Sequence, residues 1–85
     1  MKTIWKYTMT SRISDFEVPI GGKVLTVQLK SGDAYPSIWI LVDPSQPREI
    51  RKFQSHGTGH ADISDSAKYI GTFQINDLVH HVFEE

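Results

Sequence analysis

Lys23-Val24-Leu25-Thr26-Val27-Gln28-Leu29-Lys30 alternates through eight residues, with Leu25, Val27 and Leu29 on one side and Val24, Thr26, Gln28 and Lys30 on the other. Successive side chains of an extended chain point to opposite faces, so this period of two marks a half-buried β-strand. Ser31-Gly32-Asp33 supplies a turn signal and a hairpin-like return. The run that follows, Ser37 to Asp43, is apolar at Ile38, Trp39, Ile40, Leu41 and Val42, which suits a central strand buried on both faces.

The same period extends in both directions. Thr3 to Met9 sets Ile4, Lys6 and Thr8 against Trp5, Tyr7 and Met9, and Ser11 to Asp15 then breaks the pattern. In Phe16-Glu17-Val18-Pro19-Ile20 the proline cannot donate to a ladder, which confines the segment to an edge or a strand end. Gly21-Gly22 is a turn, and Pro44-Ser45-Gln46-Pro47 is a loop opposed to helix and to central-strand pairing. A polar strand, Arg48 to Ser55, comes next, and Gly57 to Lys68 is turn-rich with at most one helical turn at Asp62-Ile63-Ser64-Asp65. Tyr69, Gly71, Phe73 and Ile75 alternate with Ile70, Thr72 and Gln74. After an Asn76-Asp77 turn, Leu78, His80 and Val82 alternate with Val79, His81 and Phe83. No window sustains a helical apolar stripe for three turns. The expectation is one all-β domain over residues 1–85, a small antiparallel sheet, sandwich or partly open barrel of six to seven strands. Strand order stays open, and a one-residue slip would exchange core and solvent faces.

A chain of 85 residues buries only about 60–65% of the surface it exposes when unfolded. With no cysteine, disulfides cannot supplement so small a core, and homo-oligomerisation becomes the expected support. A formal charge of -1 argues against stable binding of nucleic-acid duplexes. Two local basic groups remain, Arg48, Arg51 and Lys52 beside a glycine loop, and Lys2, Lys6 and Arg12 near the start; phosphate capture is their functional reading, and a solvated strand face with ordinary charge alternation is the commoner one. No apolar run approaches the ~20 residues that span a bilayer, and no apolar leader follows Met1-Lys2. The expectation is a soluble intracellular protein without a membrane partner.

Phe53-Gln54-Ser55-His56-Gly57-Thr58-Gly59-His60 concentrates ligand-binding residue types. Glycines admit positive φ and close backbone approach, and imidazoles and hydroxyls bind anions. Gly57-Thr58-Gly59 lacks the lysine and following helix of a P-loop and the spacing of a dinucleotide fingerprint, but its N–H groups can form an anion nest. By the period of two, Arg51 and Phe53 share a face. The expected site holds a nucleotide-like anion, with Arg51 forking to phosphate, Phe53 stacking on a base, Gly57, Thr58 and Gly59 lending N–H groups, and His56 or His60 completing the hydrogen bonds. Phe53 in the core and Arg51 snorkelling is an equally good reading of either residue. His56 and His60, with Asp62, His80 and His81, show no recognised metal-ligand spacing, so neither metal nor cofactor is expected. Nor is an enzyme, since Gly-x-Ser-x-Gly and cysteine are absent.

Ile4-Trp5-Lys6-Tyr7, Ile40-Leu41-Val42-Asp43-Pro44, His56-Gly57-Thr58-Gly59-His60, Tyr69-Ile70-Gly71-Thr72-Phe73-Gln74 and His81-Val82-Phe83-Glu84 together resemble a family of small, mostly uncharacterised proteins of tailed bacteriophages and prophages. That resemblance carries no catalytic residues. It implies action in the host bacterial cytoplasm against antiviral defence, by sequestering a nucleotide-derived signal in an oligomer. The alternatives are an inhibitor that binds a host defence protein, a virion accessory module, and, third, a phosphodiesterase-like enzyme.

Overall fold

The computed structural model describes residues 1–85 and contains seven strands and no helix. They are β1 (Thr3–Thr8), β2 (Ile13–Pro19), β3 (Lys23–Gln28), β4 (Ser37–Val42), β5 (Arg48–Gly57), β6 (Lys68–Ile75) and β7 (Leu78–Glu84). One sheet runs β1-β4-β3 and the other β2-β5-β7-β6, with every neighbouring pair antiparallel. Val27, Ile38, Ile40 and Val42 from the first sheet form one apolar cluster with Val18, Phe53, Phe73 and Val82 from the second. The all-β expectation resolves into a two-sheet sandwich.

Several local expectations are corrected. β4 is central, but of its apolar run only Ile38, Ile40 and Val42 are buried; Trp39 and Leu41 are half-buried on the opposite face, because two layers leave no third to cover it. β2 starts at Ile13 within the expected break, since every residue from Ile13 to Pro19 has a partner between Gln54 and Arg48. β5 continues to Gly57, past its expected end at Ser55; Asp62–Asp65 forms no helical turn, within the expectation of at most one. β2 is an edge strand and ends at its proline, as the missing N–H requires.

The alternation fails at two bulges. Between Val24 and Thr26 the β3–β4 register shifts, so Leu25 is 46% exposed while Val24 and Val27 pack on the core. Between Tyr69 and Gly71 the β6–β7 register shifts, turning Tyr69 outward and Ile70 inward. An extra residue in one strand reverses the facing of everything beyond it, which a strict period of two cannot anticipate.

The bulged strands are the edges where the sheets meet, and Gly71 permits their approach. A Cβ there would lie 3.0 Å from both Cβ and Cγ2 of Val27. Gly71→Ala therefore overpacks the β3–β6 seam and should cost about 1–3 kcal/mol. The urea midpoint is expected to fall with its slope unchanged; an unaltered midpoint would show that the seam yields freely.

Candidate functional site

Arg51 and Phe53 do share a face of β5, but it is the interior face. Phe53 is fully buried, 5.9 Å from the Phe16 ring, which leaves no surface for a base to stack on. The Arg51 guanidinium donates to the Glu84 carboxylate through Nε and through Nη2 (2.7 Å), and through Nη1 to the Gly22 carbonyl (2.6 Å). Glu84 is the Cα partner of Phe53, so its side chain projects onto the face that carries Arg51. Hydrogen bonding to Glu84 outweighs burial and raises the Arg51 pKa above its usual value. These contacts correct both expected ligand roles: Phe53 is core, and Arg51 is occupied by the chain itself.

The inward side chains of β5 shrink along the strand in the order Arg51, Phe53, Ser55, Gly57. Beyond the core the sandwich consequently opens into a cleft of about 690 Å³. Gly57, Thr58, Gly59 and His60 line one wall; Ser11 and Arg12, between β1 and β2, and Tyr35 and Pro36, before β4, line others. Met9, Phe73 and Ile75 supply apolar lining, and His80 stacks on Phe73 with ring centroids 5.3 Å apart. Fifteen residues line the cleft and none is Asp or Glu. Arg12 is exposed and has no carboxylate partner, the Arg51–Glu84 bridge being the only ion pair.

The glycine loop differs from the expected nest. Gly59 adopts φ +87°, which glycine tolerates without steric cost, and the chain turns back so that the His60 N–H donates to the Gly57 carbonyl (3.0 Å). The Thr58 N–H donates to the Val79 carbonyl (3.1 Å), leaving Gly59 as the loop's unpartnered donor.

His56 projects from the other face of β5 and is 3% exposed. Its Nδ1 lies 2.7 Å from Nδ1 of His60, with the rings stacked at 4.9 Å, and Phe83 meets it edge-on at 5.9 Å. One imidazole donates in this contact and the other accepts. Burial lowers the His56 pKa from its usual 6.5, His60 and Arg12 push it the same way, and Glu85 opposes. The terminal histidines separate as the alternation predicts: His80 lines the cleft, while His81 sits on the outer face between Thr58 Oγ1 (2.8 Å) and Thr72 Oγ1 (3.1 Å). No group of three or more His, Cys, Asp or Glu side chains is placed to hold a metal ion, and no helix is long and apolar enough to cross a membrane.

The sequence reading missed Arg12, Tyr35 and His80 as cleft residues. In sequence Arg12 groups with Lys2 and Lys6; what brings it here is nonlocal, the bond from the Ser55 N–H to the Arg12 carbonyl (2.8 Å). Tyr35 arrives similarly through the Met9 N–H to Pro36 carbonyl bond (3.0 Å).

Because the folded His56 pKa lies below the unfolded value, the unfolded chain binds the proton more readily. This group's contribution to stability is full above pH ~6.5, declines as pH falls from there toward the folded pKa, and then levels off. Urea midpoints between pH 8 and about pH 5 should show this decline, and His56→Gln should flatten it; parallel profiles for the two proteins would contradict the assignment.

Over residues 1–85 the chain matches a family model described as a domain of unknown function (DUF7352). No curated protein matches it, and no solved structure does.

Proposed function

We propose that this chain, which belongs to the DUF7352 family over residues 1–85, is a binding domain that holds a nucleotide-like anion in the cleft at the end of its sandwich. The observation that carries this reading is the charge of the lining: one unpaired arginine, two histidines and no carboxylate, in a protein with ten acidic residues. Apolar and aromatic lining with a few convergent polar groups is the ordinary constitution of a small-molecule site, and about 690 Å³ lies within the usual size range. Arg12 takes the phosphate-pairing role and Tyr35, with its half-exposed ring, the stacking role. Thr58, the Gly59 N–H and His60 complete the polar contacts. In the phage setting that its sequence resembles, the protein would act in the host cytoplasm as an oligomer, withholding a nucleotide-derived signal from antiviral defence.

A second reading has its own observation. Ile4 (53% exposed) and Leu25 (46%) stand on the edge strands flanking half-buried Trp39 and Leu41. That apolar outer face supports self-association or a host protein partner.

The purified protein would be incubated with a panel of linear and cyclic nucleotides, and the free and heat-released fractions separated by chromatography. Depletion with intact recovery supports sequestration, and an altered product would make the protein an enzyme. Arg12→Ala should weaken binding at least about tenfold with an unchanged urea midpoint. Arg51→Ala should instead lower stability by roughly 2–3 kcal/mol, somewhat under the range for wholly buried pairs because Arg51 and Glu84 keep 16% and 14% exposure. Unchanged affinity in Arg12→Ala would remove the cleft from the account.

A further inference from the structure

The His56–His60 contact constrains how many protons the glycine loop can carry. In the neutral pair one ring donates Nδ1–H and the other accepts it, so each ring holds one proton. A further proton on Nε2 of the donor ring gives an imidazolium whose Nδ1–H still meets a lone pair, and charge strengthens that bond. Another proton would set two Nδ1–H groups against each other at 2.7 Å and break the contact. The pair thus accommodates one added proton while intact.

Position decides which ring takes it. His56 is enclosed beneath His60 and against Phe83, whereas His60 is exposed and lines the cleft. Other charged or titratable groups facing the pair are Arg12 from the β1–β2 connection, Glu85 beyond β7, and His81, the Cα partner of His56; His80 lies on the cleft side of β7. Burial lowers the His56 pKa, in keeping with its role as the neutral acceptor. His60 as imidazolium, together with Arg12, gives a cleft free of carboxylates two positive charges.

Building on the reading of the cleft as an anion site, we infer that its preferred ligand is dianionic, a terminal phosphate monoester rather than a cyclic or bridging diester, bound together with one proton taken up from solvent on His60. His56 is a positioning residue: it accepts the His60 Nδ1–H and holds that ring at the cleft wall. A diester carries a single charge and leaves the added proton without a partner.

Titration calorimetry with adenosine monophosphate and cyclic adenosine monophosphate, in buffers of different ionisation enthalpy, tests this with the base and ribose held constant. The monophosphate should bind with proton uptake at neutral pH, and its advantage should grow up to about tenfold between pH 8 and pH 6.5, where the phosphate is still largely dianionic. His60→Gln should abolish both the uptake and the growth while changing the affinity for the cyclic compound little. Equal, pH-independent affinities that still require Arg12 would overturn the dianion inference and leave the anion cleft standing. No binding of either compound or of inorganic phosphate would overturn both. A separate readout in the free protein is the imidazole ¹⁵N spectrum: one protonated and one bare Nδ1 within the pair supports the shared-proton contact, and two protonated or two bare Nδ1 atoms contradict it.

Discussion

The bridge from Arg51 to Glu84 and the Gly22 carbonyl is the contact on which the sandwich most depends. It joins β5 and β7 of the four-stranded sheet to the turn that opens β3 in the three-stranded one. The molecule is thin, 17 Å along its shortest principal axis, and only 14 of its 85 residues are buried. With so little apolar surface removed from water, a charged clamp between the layers weighs more than it would in a larger domain. Its donors and acceptors satisfy one another, and no buried side-chain polar atom in the protein lacks a partner.

The same strand that carries the clamp creates the cleft. Arg51 and Gly57 are six residues apart on β5, about 20 Å of extended chain. Between them the inward side chains pass from guanidinium to phenyl to hydroxymethyl to hydrogen, so a sheet pair held at one end has nothing to fill the other. The outward side of that stretch ends at His56, whose imidazole anchors the loop folding over the strand end. The clamp and the cleft therefore divide one strand between them, and Arg51, although only six residues before Gly57, belongs to the clamp.

Much of the fold was legible because binary alternation is a direct consequence of strand geometry. The expected six or seven strands, of which seven form, and the division of His80 from His81 follow from it, while the missing proline N–H accounts for the edge position of β2. The bulges at Leu25 and Ile70 escaped, since an inserted residue looks like any other until its partner strand is known. For the site, His56 through His60 were visible as chemistry, and the structure gathers the four residues from Gly57 to His60 at the cleft. Arg51 and Phe53 misled because facing was correct and side was not: Glu84 and Gly22, 33 and 29 residues away, claim the guanidinium. Arg12, Tyr35 and His80 reach the cleft through pairings between distant segments, which no local pattern encodes.

A titration of adenosine monophosphate into isotopically labelled protein, followed by amide and imidazole NMR shifts, tests the central claim most directly. Perturbations confined to Arg12, Tyr35, Gly57 to His60 and His80, with the amides around Arg51 and Glu84 unmoved, are the predicted result. Shifts centred on Arg51, or on the outer face around Trp39 and Leu41, would contradict an account in which the clamp holds the sandwich and the cleft binds the ligand.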